Sequence, residues 1–132
     1  MTAYRLSPDP ARIQPILWRT ANFSEAETRS DGLTFRWAGA EGGAIDLINP
    51  AAGMISLKLA AWSFGKEDDL QFLLNGQEIG RLHLGTQPQD YSLALKLPTG
   101  PLRLELRSFQ PARSPGGNDK RLLTFALAKV GV

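Results

Sequence analysis

The chain has no cysteine, which excludes disulfides, thiolate metal sites and a cysteine nucleophile. It has a single histidine, His83, so no site can be built on two imidazoles. An excess of one charge is also missing: 15 basic residues against 13 acidic ones leave a formal charge of +2. The basic residues are scattered, as in Arg103-Leu104-Glu105-Leu106-Arg107, whereas nucleic-acid binders gather them on one face among aromatics. No nucleic-acid partner is expected. The longest uncharged run, between Asp46 and Lys58, has eleven residues, well short of the ~20 apolar residues a spanning helix needs. No apolar leader with a cleavage site is visible near Met1, so the chain as given reads as soluble, with the cytoplasm favoured and no direct membrane insertion. A sustained i, i+3, i+4, i+7 apolar stripe is absent too, and no long helix is expected.

What is present is punctuation. Thirteen glycines and nine prolines in 132 residues fall between short apolar runs, the spacing of many strands and turns. A chain of this length makes one domain, 1–132, with a core large enough to need no staple. The clearest strand is 89–98, where Tyr91, Leu93, Leu95 and Leu97 alternate with Ser92, Ala94 and Lys96, the period of a half-buried strand. Leu102, Leu104 and Leu106 alternate in the same way after a tight Thr99-Gly100-Pro101 link. Asn75-Gly76 marks a type I′ hairpin turn between 70–74 and 77–84. The inward phase slips between Ile79 and Leu82, and Gly80 is a natural bulge site. Further strands are expected at 13–19, 33–39, 43–49 and 54–64. The final stretch, 122–132, is apolar at nearly every position through Ala128, which suits a strand covered on both faces. About eight strands with short links predict an all-β, two-sheet antiparallel sandwich of the jelly-roll, galactose-binding-like kind. Its core is drawn from Ile55, Leu57, Leu59, Leu70, Phe72, Leu93, Leu95, Leu104, Leu106, Phe125 and Leu127.

Three stretches carry a family resemblance. The first is Asn22-Phe23-Ser24-Glu25-Ala26-Glu27, followed by Thr34-Phe35-Arg36-Trp37. The second is Leu70-Gln71-Phe72-Leu73-Leu74-Asn75-Gly76. The third is Ser108-Phe109-Gln110-Pro111, a glycine-rich loop, and Asn118-Asp119-Lys120-Arg121-Leu122. In this order, across 21–132, the chain resembles the jelly-roll accessory domains appended to bacterial glycosyltransferases and related envelope-polysaccharide proteins. It departs from them at Asn22, where the family has glycine before the phenylalanine, and at Leu123-Thr124, where it has Leu-Gly. The resemblance implies a sandwich fold and a carbohydrate-related role, with a saccharide or a glycosyltransferase as partner and no cofactor.

Candidate site residues come with a plainer reading beside each. Glu25, Arg36, Asp119 and Arg121 form either a polar recognition site or ion pairs tying loops to a sheet edge. The second is favoured, because an isolated buried charge is costly. The loop 110–121 offers Arg113, Ser114, Asn118 and Lys120 as a binding rim, against a plain solvated loop. Trp18, Trp37 and Trp62 either stack on sugar rings or fill core; Trp62, where a strand runs out into Gly65-Lys66, is the first choice for a partly exposed platform. The ligand-binding set is therefore Trp62, Arg113, Asn118, Asp119 and Arg121. His83 has no nucleophile elbow to serve, and Glu67-Asp68-Asp69 reads as a solvated turn since it lacks the spaced ligands of a calcium loop. No catalytic residue and no metal site are assigned. The functional expectation is a non-catalytic carbohydrate-binding or accessory module of glycan assembly. The alternative is a structural or protein-interaction sandwich, with self-association open.

Overall fold

A computed structural model describes residues 15–132. The chain forms β1 (Ile16–Ala21), β2 (Glu27–Thr28), β3 (Thr34–Ala38), β4 (Gly43–Asn49), β5 (Gly53–Ser63), β6 (Asp68–Leu74), β7 (Gln77–Leu84), β8 (Gln89–Leu97), β9 (Gly100–Ser108) and β10 (Phe125–Gly131). They build two five-stranded sheets, ordered β1-β4-β9-β6-β7 and β2-β3-β10-β5-β8, with every named pairing antiparallel. This is the all-β jelly-roll sandwich that the alternation predicts. Among the described residues no helix is long and apolar enough to cross a membrane.

Alternation explains the layers. In β8, Leu95 and Leu97 are buried while Ser92, Ala94 and Lys96 are exposed; in β9, Leu104 and Leu106 are buried and Arg103 and Arg107 exposed. Ile45, Leu47, Leu70, Phe72, Leu104 and Leu106 from one sheet meet Leu57, Leu59, Leu95, Leu97, Phe125 and Leu127 from the other. Nine of the eleven expected core residues are buried, and Ile55 and Leu93 are half-buried at its margin.

The hairpin turn has Asn75 at φ 52 and Gly76 at φ 81, as a type I′ turn requires. Phe72 pairs with Gly80 and Leu73 with Glu78, leaving Ile79 as the extra residue of a bulge. Gly80 also answers a steric demand, since a Cβ there would lie 2.6 Å from a Leu95 methyl. That close approach packs β7 against β8 and shuts one side of the sandwich.

Both departures from the family pattern have a physical role. Asn22 sits at φ 66, the left-handed region that asparagine tolerates nearly as glycine does. The Thr124 hydroxyl donates to the Gly39 carbonyl at 2.9 Å and lies 3.2 Å from that of Ala38, anchoring the chain as it enters β10.

Three elements differ from expectation by more than a residue or two. The first strand runs Ile16–Ala21, not 13–19, and residues 13 and 14 lie outside the described part. The two-residue β2 was not anticipated, because it follows no alternation and exists only by pairing with β3. Leu122 is exposed and lies before β10, whereas Phe125, Ala126 and Leu127 are buried on both faces of a central strand.

Candidate functional site at the open edge of the sandwich

Opposite the closed β7–β8 side, β1 faces β3 and β10 across a gap. The strand that would cover it, β2, is only two residues long. The result is an open cleft of about 290 Å³. Its floor is apolar, from Leu17, Phe23, Ile45, Leu127 and Val130, and its rim carries Thr20, Thr34, Arg36 and Lys129. Strand phase puts Arg36 there. Ala38 belongs to the inter-sheet core, so Arg36 and Thr34, two and four residues earlier, point to the same side at the edge. Arg36 is exposed, and its Nη1 donates to the Ser24 carbonyl at 3.0 Å. Ser24 is stitched to β3 in turn: its N–H donates to the Trp37 carbonyl at 2.8 Å, and its hydroxyl accepts the Trp37 N–H at 3.0 Å.

The same phase sends Phe35 and Trp37 to the outer face of their sheet. There they join Trp62 and Phe64 in a chain of edge-to-face contacts, with Phe35–Trp62 centroids 5.0 Å apart, Trp37–Trp62 5.9 Å and Trp37–Phe64 5.3 Å. Leu33, Ala126 and Ala128 complete this second cluster, and the Arg29 guanidinium covers Trp62 at 5.6 Å from its ring centre. Trp62 is therefore only 5% exposed. The expected sugar-stacking platform is instead the centre of a small outer core, because the β2–β3 hairpin folds over the face that the strand leaves bare. Trp37 is half-buried in the same cluster, and the Trp18 side chain lies outside the described residues.

The loop 110–121 is internally tied. Arg113 bridges Leu123 through the backbone, and its Nη2 donates to Gln110 Oε1 at 3.0 Å. The Ser114 hydroxyl donates to the Asp119 carbonyl at 3.1 Å, and the Asp119 N–H donates to the Gly116 carbonyl at 3.2 Å. Asn118 and Lys120 are exposed at the tip. Asp119 and Arg121 pair at 2.6 Å, and Arg121 reaches Glu27 at 2.6 Å. The guanidinium beside Asp119 lowers the carboxyl pKa, and the Asp119 and Glu27 carboxylates raise that of Arg121. The four-residue cluster read from the sequence is thus corrected in two members. Arg36 donates to a backbone carbonyl, and Glu25 has no ion pair among the described residues. Glu27 takes its place, because pairing opposite Phe35 turns it toward the outer face where the loop delivers Arg121.

The outer face of the other sheet is charged. Asp46, side chain 8% exposed, lies between Arg19 (3.0 Å) and Arg103 (2.7 Å), in register across β1, β4 and β9. Arg103 first, then Arg19, hold its carboxyl down at about 2 against the resistance of burial. A folded-state pKa below the unfolded one means that this contribution to stability is complete above about pH 4 and fades as acid carries the pH toward 2. Discounted for its exposed partners, about 1–2 kcal/mol is expected to be lost over that window. Urea denaturation across pH checks this, and Asp46→Asn should flatten the slope; an unchanged slope would count against the buried pairing.

Farther along, His83 places one ring nitrogen 2.7 Å from Asp69 and the other 2.9 Å from Glu67. Both bonds need a doubly protonated ring, and these acids raise the histidine pKa, Asp69 more than Glu67. Asp68 is not part of a solvated turn. It is buried, and accepts from the Ser108 hydroxyl and from the N–H groups of Asp69 (2.8 Å) and Gln110 (3.1 Å), which clamps the end of β9 to the start of β6. Among the described residues no three His, Asp or Glu side chains converge as a metal site would require.

No protein-family model matches the sequence, and no curated protein matches it. Solved structures do. A family 35 carbohydrate-binding module from an environmental isolate aligns with a TM-score of 0.56 at 13% identity, covering 89% of this chain and 92% of its own. The C-terminal family 6 module of LamC, a marine laminarinase from Zobellia galactanivorans, gives 0.52 at 12%, covering 87% and 98%. A family 6 module from Clostridium stercorarium in complex with cellobiose gives 0.52 at 11%, covering 88% and 89%. The chain shares the jelly-roll fold of carbohydrate-binding modules over nearly its whole described length. Identities this low carry the fold and no residue correspondence.

The cleft residues Thr20, Thr34 and Lys129 escape a reading of the sequence. They sit on three strands from two sheets, and no local spacing announces that β1, β3 and β10 meet at one edge.

Proposed function

We propose that this domain is a non-catalytic carbohydrate-binding module and that saccharide lies in the edge cleft. The observation that supports this most is the pairing of an apolar floor with a polar rim in an open groove. A pyranose ring has a C–H-rich face and a belt of hydroxyls. Phe23, Leu127 and Val130 suit the first; Thr20, Thr34 and Arg36 suit the second. Arg36 is the principal anchor, since one N–H is engaged by Ser24 and the guanidinium fork has donors to spare. The fold likeness to carbohydrate-binding modules adds weight. The sequence resemblance suggests glycan assembly as the setting, with a glycosyltransferase as the protein partner.

The test is a titration of the isotope-labelled chain with a panel of oligosaccharides. Amide shifts are expected in β1, β3 and β10, and Arg36→Ala should weaken binding by about tenfold or more, the loss of a charge-assisted hydrogen bond. Shifts confined to Asn118–Arg121 would move the site to the loop rim. Silence at millimolar saccharide, with a concentration-dependent sedimentation profile, would favour the protein-interaction reading instead.

A further inference from the structure

We propose that the saccharide held in the edge cleft is anionic, a sugar bearing a carboxylate, sulfate or phosphate group. The inference rests on the reading of the cleft as a saccharide site and specifies its ligand class.

Hydrogen-bond chemistry is the first support. Of the described polar residues lining the cleft, Arg36 and Lys129 are donors only, Thr20 and Thr34 carry hydroxyls, and the Arg19 side chain is engaged by Asp46 on the outer face. Among the described residues, no aspartate, glutamate, asparagine or glutamine lines it. Each hydroxyl of a neutral sugar has a proton to give as well as lone pairs, and a buried donor without an acceptor is costly. A donor-rich rim therefore matches a neutral ring poorly. An oxyanion, which only accepts, suits guanidinium and ammonium groups directly.

Charge at the edge is the second support. Asp46 is shared by Arg19 and Arg103, so this trio keeps one uncompensated positive charge on β1, β4 and β9. Arg36 and Lys129 have no ion pair among the described residues. Glu67 and Asp69, with Glu78, lie at the far β6–β7 edge of the same sheet, beside His83 and Arg81. Glu27, the acid nearest β3 by pairing, is bound by Arg121. Among the described residues that line the cleft every formal charge is positive, and an approaching anion would be drawn to it.

The experiment compares a uronate trisaccharide, a sulfated disaccharide and neutral sugars of the same lengths by calorimetry and amide shifts, at about 10 mM and about 0.15 M salt. An acidic sugar is expected to bind about tenfold tighter or better at low salt and to lose most of that advantage at high salt. Arg36→Gln should weaken acidic-sugar binding by a clearly larger factor than neutral-sugar binding, so that the preference shrinks to about twofold or less. Lys129→Gln, at an exposed site, gives a second reading if the first variant is damaged. Equal affinity for acidic and neutral sugars in the cleft overturns the charge preference and leaves the saccharide reading standing. Absence of any saccharide shift in the cleft overturns both. Acetate or sulfate alone binding there as tightly as the sugars overturns the saccharide part and leaves a bare anion site.

Discussion

Trp62→Ala is expected to lower the unfolding free energy by about 3–5 kcal/mol and to leave saccharide affinity in the edge cleft unchanged. Trp62 joins Phe35 and Trp37, lies under Arg29 and is almost fully buried. Truncation removes the indole from the centre of this cluster and leaves a cavity that the sheet beneath cannot close, since Ala126 offers only a methyl group from the neighbouring strand. Edge-to-face pairing adds to the area lost. The substitution thus separates two roles that one tryptophan can play. A platform would lose binding and little stability; a core residue would do the reverse. Equilibrium urea denaturation, with saccharide titration of the folded variant, decides it. A loss under about 1 kcal/mol accompanied by lost binding would restore the platform reading.

Leu104→Ala is expected to cost about 2–5 kcal/mol. The side chain is fully buried in β9, which lies at the centre of its sheet between β4 and β6. Its cross-strand partners Ile45 and Leu74 are held by their own strands, so relaxation into the void is limited, and packed interiors respond to volume loss with a cavity penalty. The control is Leu93→Ala. Leu93 has the same chemistry but is half-buried on the edge strand β8, and its truncation should cost clearly less. Equal losses at the two positions would mean that the inter-sheet core is not where alternation and packing place it.

These predictions mark how much of the molecule its residues announce in advance. The β6–β7 hairpin, β8 and β9 are legible because period-two leucines and Asn75-Gly76 act locally, over a few residues at a time. Even the bulge beside Gly80 shows, as a slip in phase. The charged pair Asp119–Arg121 is legible for the same reason, being two residues apart. Glu27 is not, since it meets Arg121 only after β2 pairs with β3. The faces taken by Phe35 and Trp37 are not legible for a related reason. Alternation sorts a strand into two faces, yet it does not say which face is the inter-sheet core. In β3 the small Ala38 takes the core side and the aromatics take the outer one. Trp62 follows Phe35 and Trp37 outward, and the platform expectation fails with it.

Period-two burial, turn chemistry and the absence of cysteine and helical stripes were enough, in the amino-acid order alone, to specify a disulfide-free all-β sandwich and most of its core. Which edge stays open, which face the tryptophans occupy and which cations line the cleft were decided by tertiary pairing. The physical reason is that strand order joins residues far apart in the chain: Thr20, Arg36 and Lys129 become neighbours only when β1, β3 and β10 take their places in two layers.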